Sequence, residues 1–146
     1  MLLVLAGLVG ASTEALAEPK CNGRVATISG NDSNNFISGT DGRDVIVLGG
    51  GRDSVFGRGG RDLICTEGGN DYASGGPGRD LIEGGSGRDD LVGREADDKL
   101  FGGNQDDELS GDEGEDRLDG GDGKDRCDGG PDEDRERGCE KTVSVP

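Results

Sequence analysis

The sequence predicts an all-β repeat protein, and three observations carry that prediction. An aspartate recurs every nine residues from Asp44 to Asp134 without an insertion. Glycine, 31 of 146 residues, falls in fixed columns around that aspartate. A single apolar residue stands two positions after it in unit after unit. Such a spacing suits neither a helix nor an ordinary strand, and self-similarity at a fixed period marks a repeat architecture.

The aspartate column is Asp44, Asp53, Asp62, Asp71, Asp80, Asp89, Asp98, Asp107, Asp116, Asp125 and Asp134, with Asn35 one step earlier. Two residues before it stand Gly42, Gly51, Gly60, Gly69, Gly78, Gly87, Gly114 and Gly123. Five residues before it stand Gly30, Gly39, Gly57, Gly75, Gly84, Gly93, Gly102, Gly111, Gly120 and Gly129. The apolar column runs Ile37, Ile46, Val55, Ile64, Ala73, Ile82, Leu91, Leu100, Leu109 and Leu118, with Cys127 in the next slot. Ile28 lies in register at the front, so Cys21 to Ser29 reads as an opening turn without a metal.

Each unit divides into a six-residue turn and a three-residue strand such as Leu81-Ile82-Glu83. Side chains alternate across a strand, so only the middle residue points inward, which is what a very thin core requires. Glycine supplies the positive φ and the close backbone approach of the turn. Two turns and two strands bring the chain once around.

The composition alone would also suit a disordered chain: 29% hydrophobic residues, formal charge −16 and abundant glycine. The unbroken period argues against that. Acids outnumber bases 32 to 16, which opposes binding to nucleic acid or anionic membrane surfaces and suits cations as partners. The chain has no histidine, so Ser-His-Asp, Cys-His and HExxH chemistry is excluded. Carboxylate pairs are available for acid–base chemistry, but none stands out among so many.

Residues 1–17 are expected to be a signal peptide. Leu2 to Ala11 form an apolar run too short to span a membrane, and Ala15-Leu16-Ala17 fits a small-x-small cleavage site. The usual positive n-region is missing, and a plain apolar tail is the alternative. Four cysteines remain: Cys21, Cys65, Cys127 and Cys139. An even count in an exported chain suggests two disulfides, with three pairings open. Cys127–Cys139 closes a short loop and is favoured, and Cys21–Cys65 then follows.

Written out, the unit is G-G-x-G-x-D-x-U-x, with U apolar. It resembles the RTX, or haemolysin-type, calcium-binding nonapeptide repeat. The resemblance covers about residues 30–134, and is nearest to small secreted bacterial proteins built almost wholly of such repeats. It implies a parallel β-roll, a right-handed β-solenoid of stacked 18-residue coils. Asp44, Asp62, Asp80, Asp98, Asp116 and Asp134 would share one edge, and Asp53, Asp71, Asp89, Asp107 and Asp125 the other. Stacked about 4.8 Å apart, bare carboxylates repel. The resemblance further implies several Ca2+ ions between successive turns, held by aspartates from both. Calcium takes six to eight hard oxygens, and main-chain carbonyls would supply the rest at Gly39, Gly42, Gly51, Gly57, Gly60, Gly69, Gly75, Gly78, Gly84 and Gly87.

The pattern frays in places. Ala96 and Gln105 replace the turn glycine, Leu48 and Thr66 the first glycine, and Arg58, Glu67 and Arg94 the second. Weaker ion sites are expected around Ala96 and Gln105. Glu136 stands where an apolar residue belongs and Asp132 where a turn glycine does, so Asp134 is expected to be a poor ligand. Residues 18–29 then read as an N-terminal cap turn, 30–128 as the repeat array and 129–146 as a C-terminal cap or tail. The position before the aspartate carries Arg43, Arg52, Arg61, Arg79 and Arg88. These either compensate charge or form a basic comb for a polyanionic cell-surface polymer.

One apolar side chain per nine residues returns less free energy than ordering nine residues costs. Ion binding is therefore expected to drive folding, leaving the metal-free chain largely disordered. The sequence predicts a secreted, monomeric, non-catalytic calcium-binding protein. The alternatives are a structural or adhesive protein at the cell surface, or an appended module of a secreted enzyme or toxin. A Thr-rich flat face of the ice-binding kind is missing.

Overall fold

The computed structural model describes residues 18–140. The predicted signal peptide and the last six residues of the predicted tail lie outside the described residues. Among the described residues the chain is all-β. A hairpin of β1 (Lys20–Cys21) and β2 (Arg24–Val25) comes first. Then follow β3 (Ile28–Ser29), β4 (Phe36–Ser38), β5 (Val45–Gly50), β6 (Ser54–Phe56) and β7 (Leu63–Gly68). The middle holds β8 (Tyr72–Pro77), β9 (Leu81–Ser86), β10 (Asp90–Glu95) and β11 (Lys99–Asn104). The end holds β12 (Glu108–Glu113), β13 (Arg117–Asp122), β14 (Arg126–Asp128) and β15 (Arg135–Arg137).

From β3 onward odd strands pair only with odd and even with even. This gives one parallel sheet of seven strands and one of six. Every register between the parallel strands advances 18 residues, as in Ile64↔Ile82 and Leu91↔Leu109. The fold is a β-solenoid of 18-residue coils, as the sequence predicts. Ile46, Val55, Ile64, Ala73, Ile82, Leu91, Leu100, Leu109 and Leu118 run between the sheets, each at most 1% exposed.

Eight of the strands are longer than the predicted three residues. They span six, because pairing continues through the glycine pair, as in Gly85↔Gly103 and Ser86↔Asn104. A β-carbon at Gly85 would press into the backbone of Glu67 one coil earlier, so glycine eases the close approach here, although Arg94 and Asp112 pair across the same column at positive φ. The turn shrinks to three residues, such as Gly87-Arg88-Asp89. The first glycine of the pair points inward beside the apolar column, and Gly84 is buried like Ile82. Leu48 and Thr66 occupy that inward position and are themselves buried.

Residues 20–25 are not an opening turn. The β1–β2 hairpin lies outside the solenoid, on the outer face of the seven-stranded sheet. There Cys21 packs with Val45, Val47, Leu63 and Cys65 in a second apolar cluster, with Ala26 and Leu81 against it. A Cys21–Cys65 disulfide pins the hairpin, with Cα atoms 5.7 Å apart. A parallel sheet apolar on both faces needs a cover on each, and the hairpin is the outer cover. At the far end a Cys127–Cys139 disulfide ties the last segment down. The exposed β15 closes its sheet there, with Glu136 opposite Leu118. The Glu136 carboxylate accepts from Gly129 N–H at 3.1 Å, so the core column ends on a polar cap, as a terminal repeat must.

Candidate metal centres

The 18-residue coil sorts the aspartates onto two edges, and a hydrogen-bond ladder on each makes the sorting visible. From Asp62 to Asp134 each column aspartate's Oδ1 accepts from the backbone N–H of the aspartate one coil earlier, and Asp53's accepts from Asn35 N–H. Asp62 N–H donates to Asp80 at 2.7 Å, and Asp80 N–H to Asp98 at 2.7 Å. On the other edge Asp71 N–H donates to Asp89 and Asp89 N–H to Asp107, both at 2.9 Å. Each ladder runs on to its end: Asp116 N–H reaches Asp134, and Asp107 N–H reaches Asp125, at 2.9 Å. The carboxylates are thus structural as well as candidate ligands, a role the period alone did not disclose.

The second oxygen is left over. The Oδ2 atoms of Asp53, Asp62, Asp71, Asp80, Asp89, Asp98, Asp107, Asp116 and Asp125 are buried and have no hydrogen-bond partner among the described residues. Buried polar atoms are nearly always satisfied, so nine orphaned acceptors in two files ask for a cation. Asp44 differs. Its Oδ2 accepts from Thr40 N–H at 2.7 Å and Thr40 Oγ1 at 2.9 Å, so the first coil satisfies itself.

The first glycine of each unit frames the orphan. A β-carbon at Gly57 would stand 2.6 Å from Asp62 Oδ2 and 2.6 Å from the Gly75 carbonyl oxygen. At Gly39 the same β-carbon would meet the Gly57 carbonyl at 2.5 Å and Asp44 Oδ2 at 2.9 Å. The cradle therefore brings a carboxylate oxygen and a carbonyl oxygen from the next coil beside one glycine. The repeat continues at Gly75 with Asp80 and at Gly84 with Asp89. These are hard oxygens, the donor set calcium takes. Thr66 breaks the cradle: its Oγ1 donates to the Gly84 carbonyl at 2.7 Å. Leu48 fills the corresponding space beside Asp53 with an aliphatic side chain.

The turn glycines do a different job. A β-carbon at Gly60 would lie 2.7 Å from the Gly42 carbonyl oxygen. Gly69, Gly78 and Gly87 stand in the same relation to Gly51, Gly60 and Gly69, closer still. The predicted glycine ligands thus lie where carbonyls stack from coil to coil, and the missing Cβ is what permits the stacking. Ala96 and Gln105, at φ 79° and 77°, occupy this column in the left-handed region. Arg58, Glu67 and Arg94 do so in the second-glycine column, at φ 77°, 68° and 101°. Asp112, at φ 73°, is a further case. Its signal was in the sequence, since it follows Gly111 where a second glycine belongs.

Burial raises the carboxyl pKa values above the ordinary 3.8: to about 6 at Asp62, Asp80 and Asp107, about 7 at Asp89 and about 8 at Asp98. Asp71 and Asp116 move in the same direction for the same first cause. Backbone hydrogen bonds oppose the shift without cancelling it. An ion that neutralised these groups would remove that penalty. Cys21, Cys65 and Glu83 also cluster, but the two sulfurs are bonded to each other, so no thiolate is available to a metal.

The arginines before the aspartates do not form one comb. Arg43, Arg61 and Arg79 follow one another on one edge, while Arg52 and Arg88 alternate with Asn34, Asn70 and Asp106 on the other. Those three acceptors cap the next coil: Asn34 accepts from Arg52 N–H at 2.9 Å, Asn70 from Arg88 N–H at 3.0 Å and Asp106 from Lys124 N–H at 3.1 Å.

Compared with known families, the chain matches a model described as the RTX calcium-binding nonapeptide repeat (4 copies), over residues 29–64, 66–100 and 101–136. No significant match is found among curated proteins.

Proposed function

The chain belongs to the RTX calcium-binding nonapeptide-repeat family, and from that premise we propose a secreted, non-catalytic protein whose folding is coupled to several calcium ions along its two turn edges. Calcium binding in a β-roll is what that family implies. The observation that carries the finer reading is the pair of files of buried, unpartnered Asp Oδ2 atoms. Asp62, Asp80, Asp98 and Asp116 would hold ions on one edge, and Asp89, Asp107 and Asp125 on the other, with main-chain carbonyls beside the first glycines. Asp53 and Asp71 are weaker candidates, because Leu48 and Thr66 crowd their cradles, and Asp44 is weaker because Thr40 already satisfies it. The ions supply charge neutralisation and a bridge between successive coils.

Secretion is supported by the predicted signal peptide and by two disulfides, which persist in oxidising compartments. No helix among the described residues is long and apolar enough to cross a membrane. A second reading, anchorage at a cell surface, is favoured by one observation. Phe36, 77% exposed, stacks with Phe56 and Phe56 with Tyr72, at centroid distances of 5.7 and 5.6 Å, on the outer face of the six-stranded sheet. Retention on washed cells, released by chelator, would separate the two readings.

The decisive experiment pairs calorimetry, using calcium and magnesium, with far-UV circular dichroism. Calcium is expected to bind at several sites, in preference to magnesium, and to raise β-content steeply. Full β-content in excess chelator would overturn calcium-driven folding.

A further inference from the structure

The two turn edges differ in charge, and the difference does not follow from metal binding. A groove on one edge is lined by Arg24, Arg43, Arg61, Arg79 and Lys99. Its acids are Asp62, Asp80 and Asp97. The groove on the opposite edge has four basic and seven acidic side chains. In a chain of formal charge −16, one edge is therefore an island of positive charge. Its basic residues come from five separate segments. The disulfide-pinned hairpin delivers Arg24, since Arg24 pairs with Cys21.

A second observation is independent of the charge count. On the acidic edge each arginine follows an acceptor that caps its backbone N–H, namely Asn34 for Arg52 and Asn70 for Arg88. On the basic edge three arginines run consecutively, and a guanidinium has no acceptor to offer. Arg43 and Arg61 therefore cannot cap Arg61 and Arg79. Capping resumes only at Asp97, which accepts from Glu115 N–H at 3.3 Å. The edge gives up backbone capping to keep three arginines in file, one per coil, with their backbones about 4.8 Å apart. Among the described residues, Arg79 alone of the three is engaged, with Asp97 at 2.5 Å, and both partners are substantially exposed.

We propose that the edge bearing Arg43, Arg61 and Arg79 binds a linear phosphodiester polymer that carries no bases. Guanidinium forks match phosphate oxygens in a bidentate way that ammonium groups do not, and a file of forks suits a chain of regularly repeated phosphates. Uncapped backbone N–H groups add donors of the same sense. Nucleic acid is disfavoured because the groove has no aromatic side chain for base stacking. Calcium enters only through charge, and that part rests on the proposed calcium binding. Asp62 and Asp80 are ligand candidates, so a loaded edge is more positive, and polymer and calcium are expected to strengthen each other's binding.

The test is fluorescence anisotropy of end-labelled poly(glycerol phosphate) with the calcium-saturated protein at low salt, with circular dichroism and calcium calorimetry on every variant. R43Q/R61Q/R79Q is expected to weaken binding about tenfold or more, in line with the loss of charge-assisted bonds. R52Q/R88Q, on the other edge, should leave it within about twofold. If the triple variant fails to load calcium, R61Q alone decides, with an expected loss of about threefold. No binding by the unmodified protein, or equal loss in both sets, overturns the proposal. Equal affinity for oligothymidylate or heparin overturns the assignment to a base-free phosphodiester. Calorimetry without calcium uptake sinks the calcium reading separately, because the anisotropy with and without the three arginines still decides the edge.

Discussion

Aspartate and glycine divide the labour at each turn, and the division sets what single substitutions should do. In Asp98 one oxygen holds the backbone of Asp80 and the other is buried without a partner. Asp98→Asn keeps the first bond and removes the buried charge. Asn35 holds the same column at the start of the array, where its Oδ1 accepts from Asn31 N–H at 2.8 Å and no coil precedes it in the ladder. D98N is expected to raise β-content in chelator and to weaken calcium binding about tenfold, since a charged hard ligand is lost. Circular dichroism in chelator and calorimetry check the two halves. Glycine acts in the opposite direction. Gly57→Ala puts a carbon 2.6 Å from two oxygens, and overpacking of that kind costs about 1–3 kcal/mol. By contrast Ala96→Gly and Gln105→Gly relieve positive φ. Each should stabilise the calcium-loaded protein by about 1 kcal/mol in denaturant melts. A loss of stability would show that Ala96 and Gln105 make compensating contacts.

At the scale of elements, the opening coils of the array are built differently from the later ones. The coils between Val45 and Leu81 carry apolar residues on both faces of one sheet, a covering hairpin and an aromatic ladder. Later coils have one buried apolar residue per half-turn and charged outer faces, as in β13. The opening coils therefore depend least on ions, and in these coils Leu48, Thr66 and Thr40 also blunt the ion cradles. Hydrogen exchange in chelator is expected to protect Ile46 and Ile64 more than Leu100 and Leu118. Uniform protection, or none, would contradict this polarity. The disulfides should follow loop length, which sets the entropy removed from the unfolded chain. Cys21→Ser/Cys65→Ser opens a 44-residue separation and Cys127→Ser/Cys139→Ser one of 12. The expected losses are about 4 and about 3 kcal/mol, read from denaturant melts in calcium. The hairpin was not legible in the sequence, because residues 20–25 carry no repeat signature. Its partners, Val45, Val47 and Leu63, sit in columns that elsewhere face solvent.

For the whole molecule, stacking puts many carboxylates into two narrow files, and pH acts on all of them together. Carboxyl groups raised by burial to about 6, 7 or 8, as at Asp80, Asp89 and Asp98, bind protons more tightly folded than unfolded. Their contribution to the metal-free fold is complete below the ordinary value of 3.8 and is lost as pH rises through the folded values. Stability in chelator should therefore fall from about pH 4 to about pH 8. Calcium competes with those protons, so its affinity should rise over the same interval. Melts with and without calcium check the two slopes, and equal slopes would argue against carboxylate ligation.

Much of this architecture was legible in the sequence. The nine-residue period alone determined which residues face the core and which aspartates and glycines share a column, because a repeat places equivalent residues equivalently. It also marked the irregular positions, such as Ala96 and Gln105, that adopt positive φ. The tertiary structure alone decided what depends on contact between coils. From Asp53 to Asp125 one oxygen of each column aspartate is spent on the backbone of its neighbour while the other is left over. On the edge of Arg52 and Arg88, side-chain acceptors of Asn34 and Asn70 cap the next coil's backbone N–H, while the edge of Arg43, Arg61 and Arg79 has none to offer, because a guanidinium carries no acceptor.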